Sequence, residues 1–416
     1  MNKVTFTNNL KKFITSSTCA FTCISTIEEK LKKQNFQKLN EEDKWSIKEG
    51  LYYVTRNDAS LIAFKIPKNY KEKFLIVTSH CDTPSLLLKP SGNYIKDNYL
   101  KYNIMLYGGL LNYGWLDHPL SLAGRIIIEK NKKIEKRIVD FKHPMAIVPS
   151  VAIHLNDKAN TNLDLNAQTD LQPIFAVTDK ENSWLQLLKK ELKTNEKLLD
   201  YELFLYNCLL PETIGLENDL LLSPRIDNIT SVYSSLESFL ETTSNNILVF
   251  CSFNNEEIGS LTREGADSNF LLDTLKRVAA TIEIDVATTL AKSYHISSDN
   301  THAVHPNHPE LSDETGKAFL GKGFTIVKEI SSTTDAYFSS IIKSLCKKHN
   351  IMYQDSTAKN DITGGSTLSG LSLRHVSIKS LEVGVPELAM HSSVEVANIN
   401  DIYELYKMMK VFYKEI

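Results

Sequence analysis

Five short segments of this chain carry side chains able to hold a metal ion: Ser79-His80-Cys81-Asp82, Arg225-Ile226-Asp227-Asn228, Asn255-Glu256-Glu257-Ile258-Gly259, Ser298-Asp299 and Met390-His391-Ser392. The adjacent carboxylates Glu256 and Glu257 are the most informative, because neighbours at a strand end point in different directions and can take different tasks. One can bind a metal while the other moves a proton. In two-metal hydrolytic sites the ions sit roughly 3.5–4 Å apart, so a carboxylate must bridge them. Each ion also needs nitrogen or oxygen ligands and an open position for water. Two His, two Asp and one Glu fit such a shell, and one Glu is left as general base.

Seen singly, each of these residues would read as a solvated surface group or a satisfied buried one. Their placement argues otherwise. His80 follows the apolar run Phe74-Leu75-Ile76-Val77, and Glu256-Glu257 follow Ile247-Leu248-Val249-Phe250. Charge just past a buried strand is where open α/β sheets hold their ligands. Asp227 precedes a stretch with apolar residues at Ile229, Val232, Tyr233, Leu236, Phe239 and Leu240, which is helical spacing.

The elements that must position these residues fall into two textures. Residues 1–88 predict a helix over Thr26 to Gln34 and strands near Leu51 to Thr55, Ser60 to Ile66 and Phe74 to Ser79. Residues 221–416 again alternate helices with strands, ending in a helix with Ile402, Leu405, Tyr406, Met409, Phe412 and Tyr413 on one face. Between them, residues 89–220 hold short alternating runs (Tyr94 to Tyr102, Gly124 to Glu129, Lys136 to Phe141) broken by Gly, Pro and Asn, the pattern of an antiparallel β domain. The candidate ligands flank this stretch. The expected fold is therefore α/β, with a discontinuous catalytic domain (1–88 and 221–416) interrupted by an inserted β-rich domain (89–220).

At 416 residues, 42% hydrophobic and 23% charged, the chain can bury a large core in about two domains. A net charge of −3 points to neither nucleic acid nor membrane, and no apolar run approaches the roughly 20 residues of a membrane helix. The Lys-rich stretch from Lys130 to Lys136 reads as a solvated hairpin or helix face. The first residues lack a signal-peptide pattern. The six cysteines have no zinc-knuckle spacing; Cys19 and Cys23 read as packing, and a free Cys81 beside His80 fits a reducing compartment. A cytoplasmic location is expected.

The chain resembles, nearly end to end, the aspartyl aminopeptidase and aminopeptidase I family of co-catalytic zinc exopeptidases. The resemblance rests on Ser79-His-Cys-Asp-Thr-Pro-Ser-Leu-Leu-Leu-Lys-Pro90, Leu120-Ser-Leu-Ala-Gly-Arg125, Pro149-Ser-Val-Ala-Ile-His-Leu-Asn156, Pro224-Arg-Ile-Asp-Asn228, Asn254-Asn-Glu-Glu-Ile-Gly-Ser260, His302-Ala-Val-His-Pro-Asn307 and Pro386-Glu-Leu-Ala-Met-His-Ser392, in the family's order. It implies a three-layer zinc-exopeptidase-like catalytic domain and a dimerisation role for the insertion. It further implies that Asp227 bridges two metal ions, that His80 and Asp299 complete one shell and Glu257 and His391 the other, and that Glu256 is the general base. Asp82 would orient the His80 imidazole. The spacing by itself does not say which ligand serves which ion.

Pattern alone makes His154 a structural residue at a strand end. The resemblance implies instead that it reaches a neighbouring subunit's active site and holds developing negative charge. Lys322, flanked by Gly321 and Gly323, is ordinarily a solvated turn; the resemblance makes it a residue near the substrate pocket that could pair with an acidic side chain. His302 and His305 are left to supporting roles. Asn300-Thr301, Trp115-Leu-Asp-His-Pro119 and Gly364-Gly-Ser-Thr-Leu-Ser-Gly370 depart from the family's usual residues without removing a ligand. The implied activity is hydrolysis of the N-terminal residue from peptides, using two divalent ions, zinc first with manganese or cobalt as alternatives. Acidic, neutral and broad specificity all remain open, as does a catalytically silent assembly protein. A dodecamer built from dimers is the implied assembly.

Overall fold

The computed structural model describes residues 1–180, 183–330, 332–361 and 368–416. Among them, the central sheet has nine strands in the order Gln37–Leu39, Gly50–Arg56, Ser60–Ile66, Asn246–Phe253, Lys71–His80, Tyr294–Ser298, Lys379–Gly384, Phe324–Val327 and Tyr353–Ser356. The four central strands, Asn246–Phe253, Lys71–His80, Tyr294–Ser298 and Lys379–Gly384, run parallel. Parallel strands bury both faces, which is why Phe74 to Val77 and Ile247 to Phe250 are continuous apolar runs rather than alternating ones.

Side chains alternate between the two faces and meet a helix layer on each. Leu75, Val77, Leu248, Phe250 and Ile296 pack with Ile229, Leu236, Ile402, Leu405 and Phe412. These come from the helices Ile226–Glu241 and Ile399–Glu415, with Lys3–Ser16 and Ala20–Lys33 joining the same layer. Phe74, Ile76, Ile247 and Val249 face the other way, onto Phe270, Leu271, Leu275 and Val278 of the helix Phe270–Thr281. The result is the expected three-layer α/β arrangement.

A second sheet draws all six of its strands, among the described residues, from positions 85 to 207: Lys133–Asp140, Leu120–Lys130, Lys197–Asn207, Ser85–Lys96, Tyr99–Tyr107 and Ile174–Val177, antiparallel throughout. It has its own core around Leu86, Tyr102, Leu122, Ile126 and Leu203. A third sheet joins Glu212–Ile214 and Leu220–Ser223 to Glu395–Asn398, Pro386–Leu388 and Thr301–His302. So Glu212–Ile214 already join, through Leu220–Ser223, the sheet of the C-terminal part of the chain, and the antiparallel sheet begins at Ser85, four residues ahead of the expected boundary at 89.

Several element ends differ from expectation. The helix expected over Thr26 to Gln34 starts at Ala20, because Thr22 Oγ1 closes the helix start by accepting the Cys19 amide at 2.9 Å. The run from Tyr94 to Tyr102 is the tip of a hairpin, turned at Asp97 and Asn98, whose φ values of 52° and 65° are left-handed. The stretch from Lys130 to Lys136 is a second hairpin, turned at Asn131 and Lys132. Cys19 and Cys23 are buried in the main core, as packing residues. No helix among the described residues is long and apolar enough to cross a membrane.

Candidate active site

The parallel strands deliver their last residues to one edge. His80 ends the Lys71–His80 strand, Asp299 follows Tyr294–Ser298, and Glu256 and Glu257 follow Asn246–Phe253 through Asn254 and a left-handed Asn255. Asp227 enters just after Arg225, itself left-handed at φ 59°, where the chain turns into the helix Ile226–Glu241. The Arg225 guanidinium fixes that turn by donating to the carbonyl oxygens of Ile14, Ser17 and Asn207. His391 sits in a tight turn with φ 67°, between Pro386–Leu388 and Glu395–Asn398.

The five expected ligands converge. His80 Nε2 lies 3.2 Å from Asp299 Oδ1 and 3.6 Å from Asp227 Oδ1. His391 Nε2 lies 3.3 Å from Asp227 Oδ2 and 3.5 Å from Glu257 Oε2. Three overlapping groups, His80/Asp227/Asp299, Asp227/Glu257/His391 and His80/Glu256/Glu257, each have ligand atoms within 4.8 Å of one another. His302 and His305 are in none of them.

Both imidazoles are oriented by main-chain carbonyls. His80 Nδ1 donates to the Asp82 carbonyl at 3.0 Å and His391 Nδ1 to the Gly109 carbonyl at 2.8 Å. A carbonyl can only accept, so Nδ1 carries a proton and Nε2 is the ring atom each imidazole presents to the carboxylates. Asp82 thus bonds His80 through its main-chain carbonyl, with its carboxylate 3.5 Å from the same Nδ1. That carboxylate accepts the amides of Glu256 at 3.3 Å and Glu257 at 3.2 Å, and the Tyr107 hydroxyl at 2.8 Å.

Electrostatics mark the cluster as short of positive charge. Burial pushes the Glu256 carboxyl up to about 8, with Asp299, Asp82 and Asp227 adding to the shift against His80. Burial and Asp227 likewise raise Glu257, and burial raises Asp299. Burial alone would lower His80, yet Asp299, Asp227 and Asp82 carry it well above its ordinary value. Burial would raise Asp227, and the His391 and His80 imidazoles override it and hold it low. Among the described residues, the buried oxygens Asp227 Oδ1 and Glu257 Oε1 have no hydrogen-bond partner. Buried carboxylates that converge on two imidazoles and leave two oxygens unpartnered fit divalent metal ions, and imidazole nitrogen with carboxylate oxygen is a donor set that zinc takes.

Further groups brace the cluster that the sequence reading did not single out. Glu395, buried, accepts the main-chain amides of Asp227 at 3.1 Å and His391 at 2.8 Å, tying two candidate ligands together. A carboxylate between Val394 and Val396, four residues beyond His391, was the available signal. Tyr107 and Gly109 come from the antiparallel sheet's side, and the pair Gly108-Gly109 was their only trace. Gly108 suits this approach, because its φ of +82° is one that other residues rarely adopt and a Cβ there would crowd Glu257 Cβ at 3.1 Å.

Two expected residues stand apart. His154 is exposed in the turn Ile153–Leu155, with Ile153 and Leu155 52% and 83% exposed beside it. Lys322 is exposed between Gly321 and Gly323, whose amides are clamped by Asp401 at 2.7 and 2.6 Å. Positions 364–367 of the segment Gly364 to Gly370 lie outside the described residues.

A three-layer α/β sheet carrying this His and carboxylate cluster at the carboxyl ends of its parallel strands has the form of a metallohydrolase. The chain belongs to the aminopeptidase I zinc metalloprotease (M18) family, whose profile matches residues 13–413. It is a zinc metalloaminopeptidase of that family. A probable M18 family aminopeptidase 2 of Clostridium novyi is 36% identical over 436 residues, covering 99% of both chains. The solved complex of Ape4 with Nbr1 contains a chain that superimposes with a TM-score of 0.94 at 28% identity, covering 99% of this chain and 86% of that one. The mApe1 dodecamer of S. cerevisiae shares the fold with a TM-score of 0.86 at 23% identity, covering 98% and 95%.

Proposed function

We propose that this aminopeptidase works with two divalent ions, most simply zinc, with manganese and cobalt as alternatives for the same ligands. Asp227 would bridge them, with His80 and Asp299 at one and Glu257 and His391 at the other. The observation that carries this reading is the position of Asp227, whose two carboxylate oxygens face His80 and His391 separately. When bound, such ions polarise the scissile carbonyl and make water a nucleophile near neutral pH.

The remaining chemistry belongs to side chains of the chain itself. Glu256 takes a proton from the attacking water as the carbon–oxygen bond forms, then returns it to the leaving amine as the carbon–nitrogen bond breaks. Its burial and its carboxylate neighbours raise its affinity for a proton above that of a solvated carboxylate. Asp82 holds the Glu256-Glu257 turn by its amides. The substrate's free amino group would sit near Glu256, which restricts cleavage to the first residue.

His154 of the partner subunit would supply a donor for the developing oxyanion, a reading supported by the exposure of its turn. It requires assembly through the 89–220 insertion, and a dodecamer built from dimers is the arrangement we favour by likeness to the mApe1 assembly. Lys322 would favour an acidic first residue. A cytoplasmic location fits the free Cys81 beside His80. The testing experiment strips metal with a chelator, adds back Zn²⁺, Mn²⁺ or Co²⁺, and measures release of N-terminal residues from a peptide panel together with bound metal per chain. Activity returning at two ions per chain supports the proposal; full activity at one refutes it.

A further inference from the structure

The carboxylate of Asp82 is held by a chain of hydrogen bonds that leaves the catalytic sheet and returns to it. Tyr107, the last residue of the strand Tyr99–Tyr107, donates its hydroxyl to Asp82 Oδ2 at 2.8 Å. Asn255 Nδ2 donates to the same hydroxyl oxygen at 2.9 Å, and Asn255 Oδ1 accepts from Thr262 Oγ1 at 2.8 Å. Asn255 precedes Glu256, so the ring closes through the main chain at the turn whose amides Asp82 accepts. A phenol oxygen occupied by an incoming amide donor has its own proton free for the carboxylate, so the direction of each bond is determined.

Geometry around this ring leaves little slack. Tyr107 is 8% exposed, and its ring meets Phe204 of the antiparallel sheet edge-on at 5.3 Å. The next residue, Gly108, passes against Glu257, and Gly109 orients His391. The end of one strand of the antiparallel sheet therefore touches both the Glu256-Glu257 turn and the ligand opposite it.

We propose that Tyr107 is a positioning residue for catalysis: by fixing the Asp82 carboxylate it holds the two amides of the Glu256-Glu257 turn, so that the antiparallel sheet sets the aim of Glu256. Without the hydroxyl, Asp82 Oδ2 keeps only the Glu257 amide and Asn255 Nδ2 loses its acceptor. The ligands themselves stay where they are, since none bonds Tyr107. The inference rests on Glu256 being the base.

Tyr107→Phe tests it, with Tyr102→Phe as control. Tyr102 lies on the same strand, fully buried, and its hydroxyl bonds Tyr201 within the antiparallel sheet. Three quantities are measured on the assembled, metal-loaded enzyme: kcat and KM, bound metal per chain, and amide hydrogen exchange in peptides spanning 253–260. Tyr107→Phe is expected to lower kcat by about 10- to 100-fold with KM changed less than about twofold and bound metal unchanged. Exchange in the 253–260 peptides should rise in Tyr107→Phe and stay at the wild-type rate in Tyr102→Phe. Unchanged exchange there, a wild-type kcat, or an equal loss of kcat in Tyr102→Phe overturns the proposal. If Tyr107→Phe does not yield folded enzyme, Thr262→Val removes the outer link from a half-buried position and must raise exchange in the same peptides; no rise overturns the proposal equally. Failure of the base assignment reads differently: Glu256→Gln keeps its turnover while Tyr107→Phe still loosens the turn.

Discussion

Asp227 and His391 meet through one atom pair, Oδ2 to Nε2 at 3.3 Å, which leaves Oδ1 of the same carboxylate 3.6 Å from His80 on the other side. A carboxylate that turns one oxygen to each of two imidazoles is placed to serve two ions. Asp227→Ala should therefore lower metal occupancy at both sites, whereas His391→Ala should weaken mainly one. Metal titration by mass spectrometry on the two variants checks this. Two tightly held ions in Asp227→Ala would remove Asp227 from the bridging role.

Glu395 supports the same pair from behind, by accepting the amides of Asp227 and His391. Glu395→Ala is expected to weaken metal binding by about 10- to 100-fold without altering which first residue is preferred. Chelator competition gives the affinity, and a peptide panel gives the preference. Wild-type affinity would mean that the two turns hold their shape unaided.

Acid sensitivity of the fold should trace in part to His295. It is buried between Thr78 Oγ1 and Ser380 Oγ, each 2.8 Å from a ring nitrogen, and burial lowers it from 6.5 to about 3. An unfolded imidazole takes up a proton as the pH falls through 6.5 and the buried one does not, so this stabilisation is complete above that pH and is lost as the pH falls toward 3. Between about pH 7.5 and 5.5 the loss amounts to roughly 1.4 kcal/mol. His295→Asn should lose less stability than wild type over that interval by about this amount, read from denaturant unfolding with metal present. Parallel losses in the two proteins would show that His295 is protonated in the fold.

The proposed acidic specificity rests on Lys322, which is exposed while Asp401 clamps the glycines on either side of it. A substrate carboxylate entering a region rich in Asp and Glu needs a cation to offset repulsion. Lys322→Met should lower kcat/KM for Asp- and Glu-initiated peptides by tenfold or more, at roughly 1.4 kcal/mol per tenfold, and leave Leu-initiated ones nearly unchanged. An equal fall on every peptide would make the loop a structural turn. A wild-type preference for Leu or Met would assign the chain neutral specificity.

Much of this arrangement was legible in the residues. The strand Ser60–Ile66 matches its expected ends, and His80 and the Glu256-Glu257 pair lie just past the apolar runs that flagged them, because a buried parallel strand keeps its apolar residues together and its charged ones at the end. The hairpin at Asp97-Asn98 was hidden because a two-residue turn preserves alternation, so two paired strands read as one run. The bracing of the cluster was least legible. The Asp82 and Gly109 carbonyls that orient the two imidazoles have no side-chain signature, and the contact of Tyr107 with Asp82 depends on how the antiparallel sheet closes on the central one.

The most direct test of the central claim compares wild type with Glu256→Gln for bound metal and turnover in the same preparations. Glutamine keeps the shape and hydrogen-bonding capacity of the side chain and removes the proton acceptor. Two ions per chain in both proteins, with turnover of the variant lowered about 10²- to 10⁴-fold, is the predicted result. Near wild-type turnover in Glu256→Gln, or a single ion per fully active chain, would contradict it.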